Sequence, residues 1–553
     1  MPFCNTLKHT LIYFLLAGAW TAIGQDLVGN SHSGNSHSGI AAAAEVDART
    51  AVFDGVRLER SRQWLQAIAH YKKAVKQWPE NKQLTYGLRR SRIHFGIDRR
   101  YEDDSFGRKL RSKSLDQALM VFDETLSRVR TNYVESMSTT SFVAHGTESF
   151  YLSLGNQKFL DKNLRGVDRE QVNDLRRTLR ENYWNKPIAD SQHARATIIQ
   201  VCEIARQKTG MAGGPVVMEY VFGGCNALDD YSTYLTPNRL DDLYGNIDGE
   251  FVGLGIEMKS EMGKGLLLIN VLSDSPAEEG GLEPGDYIVG IEKADCRHMT
   301  TDEAARLLRG PTGSRIRLSI LGESDATPRQ GQFARRAVRV KSIPIVKMID
   351  RNNGVGYIRM SGFQRTSATE MDRALEALKA QGMRSLVWDV RGNPGGLLTA
   401  SVEVLDRFID EGVLVSTKGR TRDQNWSYSA HRAGTWNIPL VLLIDGMSAS
   451  ASEIVAGAIE DHDRGQIVGR TSYGKWSVQS IFPLRESTGL RLTTAKFYSP
   501  RGRTLGKIGV KPDVAVKLSS THRANYRASK INAEDDADIR AALQILRRQI
   551  TRR

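Results

Sequence analysis

The stretch VLLIDGMSASASEIVAGAIEDH, residues 441–462, joins an apolar run, a turn of small residues and a helical pattern. A short apolar run of this kind is typical of a strand that is buried on both faces of a sheet. The turn carries Ser448, Ser450 and Ser452, which alternate with alanines. The stretch therefore predicts a buried strand, a sharp turn that presents serine hydroxyls, and a helix that begins after the turn.

A second stretch, RTSYGKWSVQ at residues 470–479, predicts a partner for one of these serines. Lys475 lies between a glycine and a tryptophan in a loop after the strand-like QIVG, and Gln479 follows four positions later. A serine that uses a lysine as its base is a known variant of serine-based acyl transfer. The pair Ser450 and Lys475 therefore suggests amide hydrolysis.

The lysine imposes a condition on its surroundings. With a reference pKa of about 10.4, it can act as a base near neutral pH only if burial lowers that pKa. We expect Tyr473, Trp476 and Val478 to bury the amine. The neutral Gln479 can orient the amine without restoring its charge, whereas a carboxylate there would raise the pKa.

Two other interpretations of the serine turn compete with this one. Ser450 and Glu453 are spaced as in a capping box, in which the serine would only cap the helix. Against this, the small neighbours leave room for a substrate backbone, and a helix N-terminus offers N–H groups to an oxyanion. A Ser/His/Asp triad is a weaker alternative, because His462 lies about three helical turns from Ser450.

Length and composition indicate a folded protein of several domains. A chain of 553 residues predicts about three to five domains. The net charge of +14 is spread along the chain, and no nucleic-acid-binding module is recognisable. We therefore expect a solvated basic surface and no nucleic-acid partner, with peripheral attraction to an anionic envelope surface as the alternative.

The N-terminus predicts export. Residues 1–24 contain Lys8, an apolar run at residues 11–20, and small residues before Gln25, which is the pattern of a cleaved signal peptide. An uncleaved anchor is the alternative, although the run is short for a bilayer, which needs about 20 apolar residues. We expect a periplasmic or cell-envelope protein.

Three cysteines remain after this leader: Cys202, Cys225 and Cys296. Export permits a disulfide, and the first two are nearest in sequence, but well-spaced cysteines in a large chain are more often buried small hydrophobes. No CxxC and no Cys/His ligand spacing occurs, so we predict no metal site and no cofactor.

The first quarter of the chain predicts a linker and a helical unit. Residues 25–47 contain GNSHSGNSHSG and have the composition of a flexible linker. Residues 48–100 predict a helix pair that resembles a tetratricopeptide repeat, with a generic helical hairpin as the alternative. The positions that carry this resemblance are Gly55, Ala67, Tyr71, Ala74 and Pro79.

Residues 101–245 predict a helical domain, since apolar residues recur there at spacings of three and four. The first such stripe consists of Leu115, Leu119, Phe122, Leu126 and Val129.

Residues 246–325 have short alternating strand patterns, one short helix and a Gly-Asp turn. The stretches GEFVGLGIEM, SPA and GLEPGD resemble a PDZ domain. The resemblance implies that the loop Gly253, Leu254, Gly255 and Ile256 binds a terminal carboxylate, while an exposed strand edge pairs with an extended peptide. A β-domain that serves only as structural support is the alternative.

In residues 326–520, apolar strands alternate with amphipathic helices, which predicts a parallel sheet covered on both faces. Active sites in such sheets lie at the carboxyl ends of strands. The stretches RGNPGG and DGMSASAS are both expected there. Residues 521–553 predict a basic C-terminal helix.

In order and spacing, a longer set of stretches resembles the carboxy-terminal processing peptidases, also called tail-specific proteases. The likeness covers residues 114–513, with an unusual helical insertion at about 144–223. The stretches are LDDYSTYLTP, the PDZ block, LLRGPTGS, GYIRM, SLVWDVRGNPGGLL, SASASEIVAGAIEDH, YGKWSVQ, FYSPRGRTL and GVKPDV. The resemblance implies a multidomain α+β protein with a helical N-terminal region, a PDZ β-domain and a crotonase/ClpP-like α/β peptidase core.

The same resemblance implies roles for individual residues. Ser450 would be the nucleophile, Lys475 the general base and Gln479 its orienting partner. The oxyanion hole would consist of the Ala451 N–H and a glycine of the NPGG turn, with Gly396 favoured over Gly395. The chain departs from the usual family pattern at Asp230, Arg470 and Trp476.

The implied function is a serine endopeptidase that recognises the C-terminal tails of exported proteins through its PDZ domain and cleaves them with a Ser-Lys dyad. Its partners would be protein or peptide C-termini. One alternative is a catalytically silent PDZ scaffold that only binds peptides. Another is a protein of the same architecture that binds an apolar small molecule. The sequence predicts neither the oligomeric state nor whether the PDZ domain activates or inhibits.

Overall fold

The computed structural model describes residues 12–13, 37–272, 274–322, 325–431, 434–517 and 536–551. These residues form two compact units. The first contains the chain up to Leu240 together with Gln479–Thr494, and the second contains Asp241–Val478 and the chain from Ala495 onward, together with the short strand β1 (Ile12–Tyr13). Apart from β1, the predicted signal peptide lies outside the described residues. Within the described ranges, no helix has both the length and the apolar character needed to cross a membrane.

The first unit is helical. Its helices are α1 (His37–Arg60), α2 (Trp64–Gln77), α3 (Lys82–Tyr101), α4 (Asp104–Phe106), α5 (Leu115–Asn132), α6 (Thr139–Ser153), α7 (Gln157–Asn163), α8 (Arg169–Asn182), α9 (Ser191–Thr209) and α10 (Gly213–Cys225). The strand β2 (Thr233–Leu235) pairs antiparallel with residues 489–491.

The N-terminal helices correct one prediction. Helix α1 begins at His37, so residues 37–47 of the predicted linker are helical. The run of four alanines at 41–44 explains this, because alanine has the highest helix propensity. Residues 37–101 contain three helices rather than two, and the tetratricopeptide assignment stays a prediction.

Tyr71 explains the small residues of this region. A Cβ atom at Gly55 would lie 2.2 Å from the Tyr71 ring, and one at Gly87 would lie 2.4 Å from it. The buried phenol therefore occupies the space where α1 and α3 lack side chains. Gly87 was not recognised in the sequence pattern.

The remaining helices of this unit share one core. The predicted stripe on α5 is confirmed: Leu119, Phe122, Leu126 and Val129 are buried, and Leu115 packs partly buried against them. Helices α6 and α10 approach closely at Gly146, Gly223 and Gly224, where a Cβ atom would meet neighbouring atoms at 2.2–2.5 Å.

The PDZ block forms an antiparallel sheet in the order β4-β5-β6-β8-β9, with β4 at one edge and β7 paired to β6. Its strands are β3 (Glu250–Gly253), β4 (Ile256–Glu261), β5 (Gly265–Val271), β6 (Tyr287–Ile291), β7 (Ala294–Asp295), β8 (Arg315–Leu321), β9 (Arg329–Ala334) and β10 (Arg336–Arg339). The helices are α11 (Pro237–Asp248), α12 (Pro276–Glu279) and α13 (Thr301–Leu308). Strands β3 and β10 form a separate antiparallel ribbon.

The second unit also contains a sheet in the order β11-β12-β13-β16-β17-β20. These strands are β11 (Ile345–Asp350), β12 (Val355–Arg359), β13 (Ser385–Asp389), β16 (Leu440–Ile444), β17 (Gln466–Gly469) and β20 (Val514–Ala515). All neighbours pair in parallel except the edge strand β11. The predicted parallel sheet is therefore confirmed, with an antiparallel edge that was not predicted.

Helices cover this sheet. They are α14 (Ser367–Ala380), α15 (Leu398–Leu405), α16 (Ala451–Asp461) and α17 (Ala537–Thr551). Side chains of α17 pack on one face, against apolar residues of β12, β13, β16 and β17. Two further strands, β14 (Val413–Gly419) and β15 (Trp426–Ser429), pair antiparallel. The hairpin β18 (Ser477–Leu484) and β19 (Thr488–Tyr498) runs through both units.

The two predicted turns lie at the carboxyl ends of neighbouring strands. The segment RGNPGG, residues 391–396, follows β13, and the serine turn follows β16. Because β13 and β16 pair in parallel, both turns emerge at the same edge of the sheet. The Ala449 N–H donates to the Asn393 carbonyl at 3.1 Å and joins them directly.

Candidate active site

Ser450 is the one serine of its turn with an unbonded hydroxyl. Ser448 Oγ donates to the Val390 carbonyl at 2.8 Å, and Ser452 Oγ donates to the Asn393 carbonyl at 2.9 Å. Ser450 is 1% exposed, and its Oγ has no hydrogen-bond partner among the described residues. The turn thus separates two structural serines from one whose oxygen is available for chemistry.

The backbone of Ser450 has an unusual conformation. Its φ of +58° lies in the left-handed region, which costs free energy for any residue with a Cβ atom. A strained serine between a strand and a helix is the arrangement that presents the nucleophile in α/β-hydrolases. The Ser450 side chain makes no capping hydrogen bond to α16, and its backbone carbonyl accepts the N–H groups of Glu453 and Ile454.

Glu453 joins the serine turn to the lysine loop. Its Oε2 accepts the backbone N–H of Ser450 and that of Lys475, both at 2.8 Å. Its Oε1 accepts the Ser472 hydroxyl and the Gly474 N–H, both at 2.6 Å. Since one oxygen binds the backbone of both predicted catalytic residues, the two segments lie against each other.

This carboxylate is fully buried. Burial raises the pKa of the Glu453 carboxyl, and the four hydrogen bonds act in the opposite direction. The spacing of Ser450 and Glu453 in the sequence predicts only a capping box for Glu453. The Glu453 half of that motif is present, but the partners in the lysine loop were missed, because nothing in the local spacing indicates them.

Lys475 is buried, with 5% of its surface exposed. Trp476, also buried, stacks on Phe497 with ring centroids 4.5 Å apart. Val478 is buried as well, but Tyr473 is 57% exposed, so the expectation that it buries the amine is wrong. The Tyr473 backbone explains this, since its N–H donates to the Ser448 carbonyl while its ring faces solvent.

Gln479 lies in the extended strand β18 rather than on a helix, and it belongs to the first unit. Its side chain is buried, and Nε2 donates to Thr493 Oγ1 at 3.3 Å within that unit. The role that the resemblance assigns to Gln479 stays a prediction.

The NPGG turn brings Gly395 beside the serine. A Cβ atom at Gly395 would lie 2.8 Å from Ser450 Cβ and 2.9 Å from the Ala451 nitrogen, so this position admits only glycine. The Gly395 N–H is already donated to Asn393 Oδ1 at 2.9 Å. Among the described residues, the N–H groups of Ala451 and Gly396 have no acceptor. These two donors suit the oxyanion hole, although their role stays a prediction.

The predicted carboxylate loop connects β3 to the edge strand β4. Gly255 has φ +81°, and a Cβ atom there would lie 2.2 Å from Ser275 Cβ. The Leu254 carbonyl accepts the Ala277 N–H, and the Gly255 carbonyl accepts the Leu272 N–H. Gly253 ends β3 and Ile256 begins β4, so the loop is shorter than the four residues predicted.

The remaining candidate groups of the sequence are one histidine, three cysteines and possible metal ligands. His462 Nε2 hydrogen-bonds the Val413 carbonyl at the far end of α16. The thiols of Cys202, Cys225 and Cys296 are buried and free, and burial raises the pKa of the first two to about 12. Within the described ranges, no group of three or more potential ligands could hold a metal ion.

Comparison with known proteins gives two family matches. The model of peptidase family S41 matches residues 354–516, which include both turns and the lysine loop, and a PDZ-domain model matches residues 269–321.

Curated relatives extend this similarity. The chain is 36% identical over 296 residues to a carboxy-terminal-processing protease of Bartonella bacilliformis, covering 53% of this chain and 67% of the relative. It is 33% identical over 322 residues to a carboxyl-terminal-processing protease of Synechocystis, covering 58% and 74%. A solved photosystem II D1 C-terminal processing protease shares 24% identity over 73% of this chain and 94% of that chain, with a TM-score of 0.39.

The match to the peptidase family model covers the strand-end turns where Ser450 and Gly395 meet. The chain therefore belongs to the carboxy-terminal-processing proteases of peptidase family S41, and it is a serine-type peptidase that carries a PDZ domain.

Proposed function

We propose that this protein binds the C-terminal tail of a polypeptide in its PDZ domain and cleaves the chain with Ser450 as nucleophile and Lys475 as general base. The observation that carries the proposal is the buried, unbonded Ser450 hydroxyl, which lies on a strained turn whose backbone shares a carboxylate oxygen with the lysine loop. A protein that only binds peptides has no need of this arrangement.

The reaction is acyl transfer in two steps. Lys475 in its neutral form accepts the Ser450 proton as Oγ attacks the scissile carbonyl carbon. The carbonyl oxygen becomes an oxyanion, which the N–H groups of Ala451 and Gly396 stabilise. The lysine then protonates the leaving amine as the C–N bond breaks, and water hydrolyses the acyl-enzyme. Gln479 is assigned the orientation of the amine.

Substrate capture is assigned to the edge of the PDZ sheet. Among the described residues, strand β4 pairs only with β5, so its outer edge can pair with an extended peptide. The glycine-containing loop before it can receive the terminal carboxylate on backbone N–H groups. Ile256 and Met258 pack partly buried beside the PDZ core, which favours an apolar residue in the tail.

Cleavage assays with active-site variants test the proposal. Ser450→Ala and Lys475→Ala should each abolish cleavage of a protein with an apolar tail while the circular dichroism spectrum is retained. Lys475→Arg should also be inactive, because arginine does not become a neutral base. Ser429→Ala, at an exposed serine of β15, is the matched control. Cleavage by the Ser450→Ala variant at the wild-type rate would refute the assignment.

Tail recognition has its own test. A substrate whose terminal carboxylate is amidated should bind at least about tenfold more weakly, because the charge-assisted hydrogen bonds to the loop are lost. Equal binding of both peptides would show that the loop does not read the carboxylate. If the peptide with a free carboxylate binds, the amidated peptide binds weakly and the wild type hydrolyses neither, the protein is a peptide-binding scaffold instead.

A further inference from the structure

Helix α17 lies beyond the residues that the peptidase family model matches, yet it belongs to the core of the second unit. Ile539, Ala542 and Leu546 are fully buried against the central sheet. The helix begins at Ala537, and Asp536 caps it by accepting the N–H groups of Asp538 and Ile539. Its first turn therefore carries two carboxylates at the sheet.

These carboxylates bind two arginines that are far apart in sequence. Asp538 accepts Arg391 Nη1 at 2.6 Å, and both of its oxygens lie 2.6 Å from Arg470 Nη1. Asp536 accepts both terminal nitrogens of Arg391, at 3.0 and 2.9 Å. Arg391 also binds Asp389 at the end of β13 through two hydrogen bonds.

The two arginines stand where the catalytic segments begin. Arg391 is the first residue of RGNPGG, whose Gly395 lies against Ser450. Arg470 follows β17 directly, donates its N–H to the Ile444 carbonyl, and starts the loop that carries Lys475. Asp538 thus accepts hydrogen bonds from the first residue of each segment, Arg391 and Arg470.

Burial makes these contacts strong and directional. Asp538 is 1% exposed and Arg391 is 2% exposed. Two more members, Asp389 and Arg359, form a salt bridge in the same cluster. With Asp536 and Arg470, the members of the cluster among the described residues are three carboxylates and three guanidiniums. A hydrogen-bonded network with a buried centre holds its members in one geometry, whereas removal of one buried member leaves an uncompensated charge.

We propose that Asp538 is a positioning residue for catalysis, which holds the NPGG turn and the lysine loop in register through Arg391 and Arg470. Asp536 supports it from the cap of the same helix. The inference rests on the proposed function for its effect on cleavage. Its structural content, the restraint of two segments by one carboxylate, does not depend on that function.

The test compares two ion pairs of the same helix. Asp538→Asn keeps the shape of the side chain and removes its charge. Arg547→Gln is the matched control, because Arg547 pairs with Asp350 of β11 near the other end of α17. Amide hydrogen exchange is measured over residues 392–396 and 471–475, together with kcat and KM for a tailed substrate.

Asp538→Asn should speed exchange in both segments by about tenfold and lower kcat by about tenfold to a hundredfold, with KM within about twofold. Arg547→Gln should change neither segment and should leave kcat within about twofold. A variant that only destabilised the fold would speed exchange throughout the sheet. Unchanged exchange in both segments of Asp538→Asn, or equal effects of the two variants, overturns the proposal.

Arg470→Gln provides the second variant, since its side chain is partly exposed and its loss is better tolerated if Asp538→Asn does not fold. It should speed exchange in the lysine loop. In the double variant, the effect of Arg470→Gln on exchange there should nearly vanish, because its partner is already neutral. Full additivity contradicts the proposal. If the wild type shows no cleavage while exchange responds as expected, the proposed function fails and the positioning role stands.

Discussion

Glu453 and Asp389 are buried carboxylates of the same unit that are satisfied in opposite ways. Glu453 accepts hydrogen bonds from three backbone N–H groups and one hydroxyl, and burial raises its pKa. Burial would also raise the pKa of Asp389, but the guanidiniums of Arg391 and Arg359 lower it to about 2. The pKa of Glu453 therefore stays above the ordinary carboxyl value despite its neutral donors, whereas nearby cations bring the pKa of Asp389 below that value.

The difference follows the position of each carboxylate. Asp389 ends a strand at the base of the site, where arginines fix the charge and the backbone below the turn. Glu453 lies one helical turn after Ser450, where it accepts the backbone N–H groups of Ser450 and Lys475. Arginine side chains thus stabilise the charge of Asp389 at the end of its strand, whereas backbone N–H groups bind Glu453 beside Ser450.

Removal of the Asp389 charge should have the largest effect. Asp389→Asn leaves Arg391 partly uncompensated in the interior, and we expect a loss of about 3–5 kcal/mol in the free energy of unfolding. Urea denaturation measures it. Asp372→Asn, which breaks the partly exposed pair with Arg407, is the control and should cost less than about 1 kcal/mol. Similar losses in the free energy of unfolding of both variants would mean that the buried arginines make the charge of Asp389 no more important for stability than the partly exposed charge of Asp372.

Glu453→Gln should affect chemistry more than folding. The amide presents an NH₂ group to two of the four donors, so either the serine turn or the lysine loop must shift. We expect kcat to fall by about tenfold to a hundredfold, with a stability loss of about 1–3 kcal/mol. Glu460→Gln, on the same helix and paired with Arg503 at the surface, should keep kcat within about twofold. A wild-type kcat in Glu453→Gln would show that the charge of this carboxylate does not contribute to catalysis.

The pH dependence of stability should differ in sign between the two groups. The lowered pKa of Asp389 means that its contribution is present above the unfolded value of 3.8 and is lost as pH falls through about 2. From pH 4 downward, wild type should lose about 2 kcal/mol more than Asp389→Asn. The raised pKa of Glu453 predicts the reverse: its contribution is present at low pH and is lost as pH rises above the ordinary carboxyl value. Urea denaturation at several pH values, with Glu453→Gln beside it, checks both signs.

Loss of a single donor should have the smallest effect. Ser472→Ala removes one of the four hydrogen bonds to Glu453 and also the acceptor of the buried Val510 N–H, and it should cost about 1–2 kcal/mol of stability. The three backbone donors remain, so kcat should fall less than in Glu453→Gln. A larger loss of kcat than in Glu453→Gln would show that the hydroxyl, not the carboxylate, organises the loop.

Some of the site could be predicted because its signals are local. Ser450 follows a buried strand and precedes a helix, so the strand-end turn was visible in one short stretch. The parallel sheet was also predicted, since apolar strands alternate with amphipathic helices. The role of Glu453 was half visible: the spacing to Ser450 indicated a cap, but Gly474 and Ser472 approach it only in the folded chain.

Errors in the prediction also have local causes. Residues 37–47 were assigned to a linker because of the glycines and serines before them, whereas the alanines that follow favour helix. The closeness of Tyr473 to Lys475 in sequence predicts that it helps to bury the amine, but its ring is exposed. In both places the types of residue nearby predicted the structure incorrectly, because the local backbone conformation decided it.

By itself the sequence determined the strand, turn and helix around Ser450, the parallel sheet and the peptidase family, because these depend on short periodic patterns and spacings. Only the tertiary structure decided which carboxylates hold the site. Asp538 lies 68 positions from Arg470 and 147 from Arg391. No local pattern encodes such a pairing, since it arises when α17 packs across the ends of strands that are contributed by separate parts of the chain.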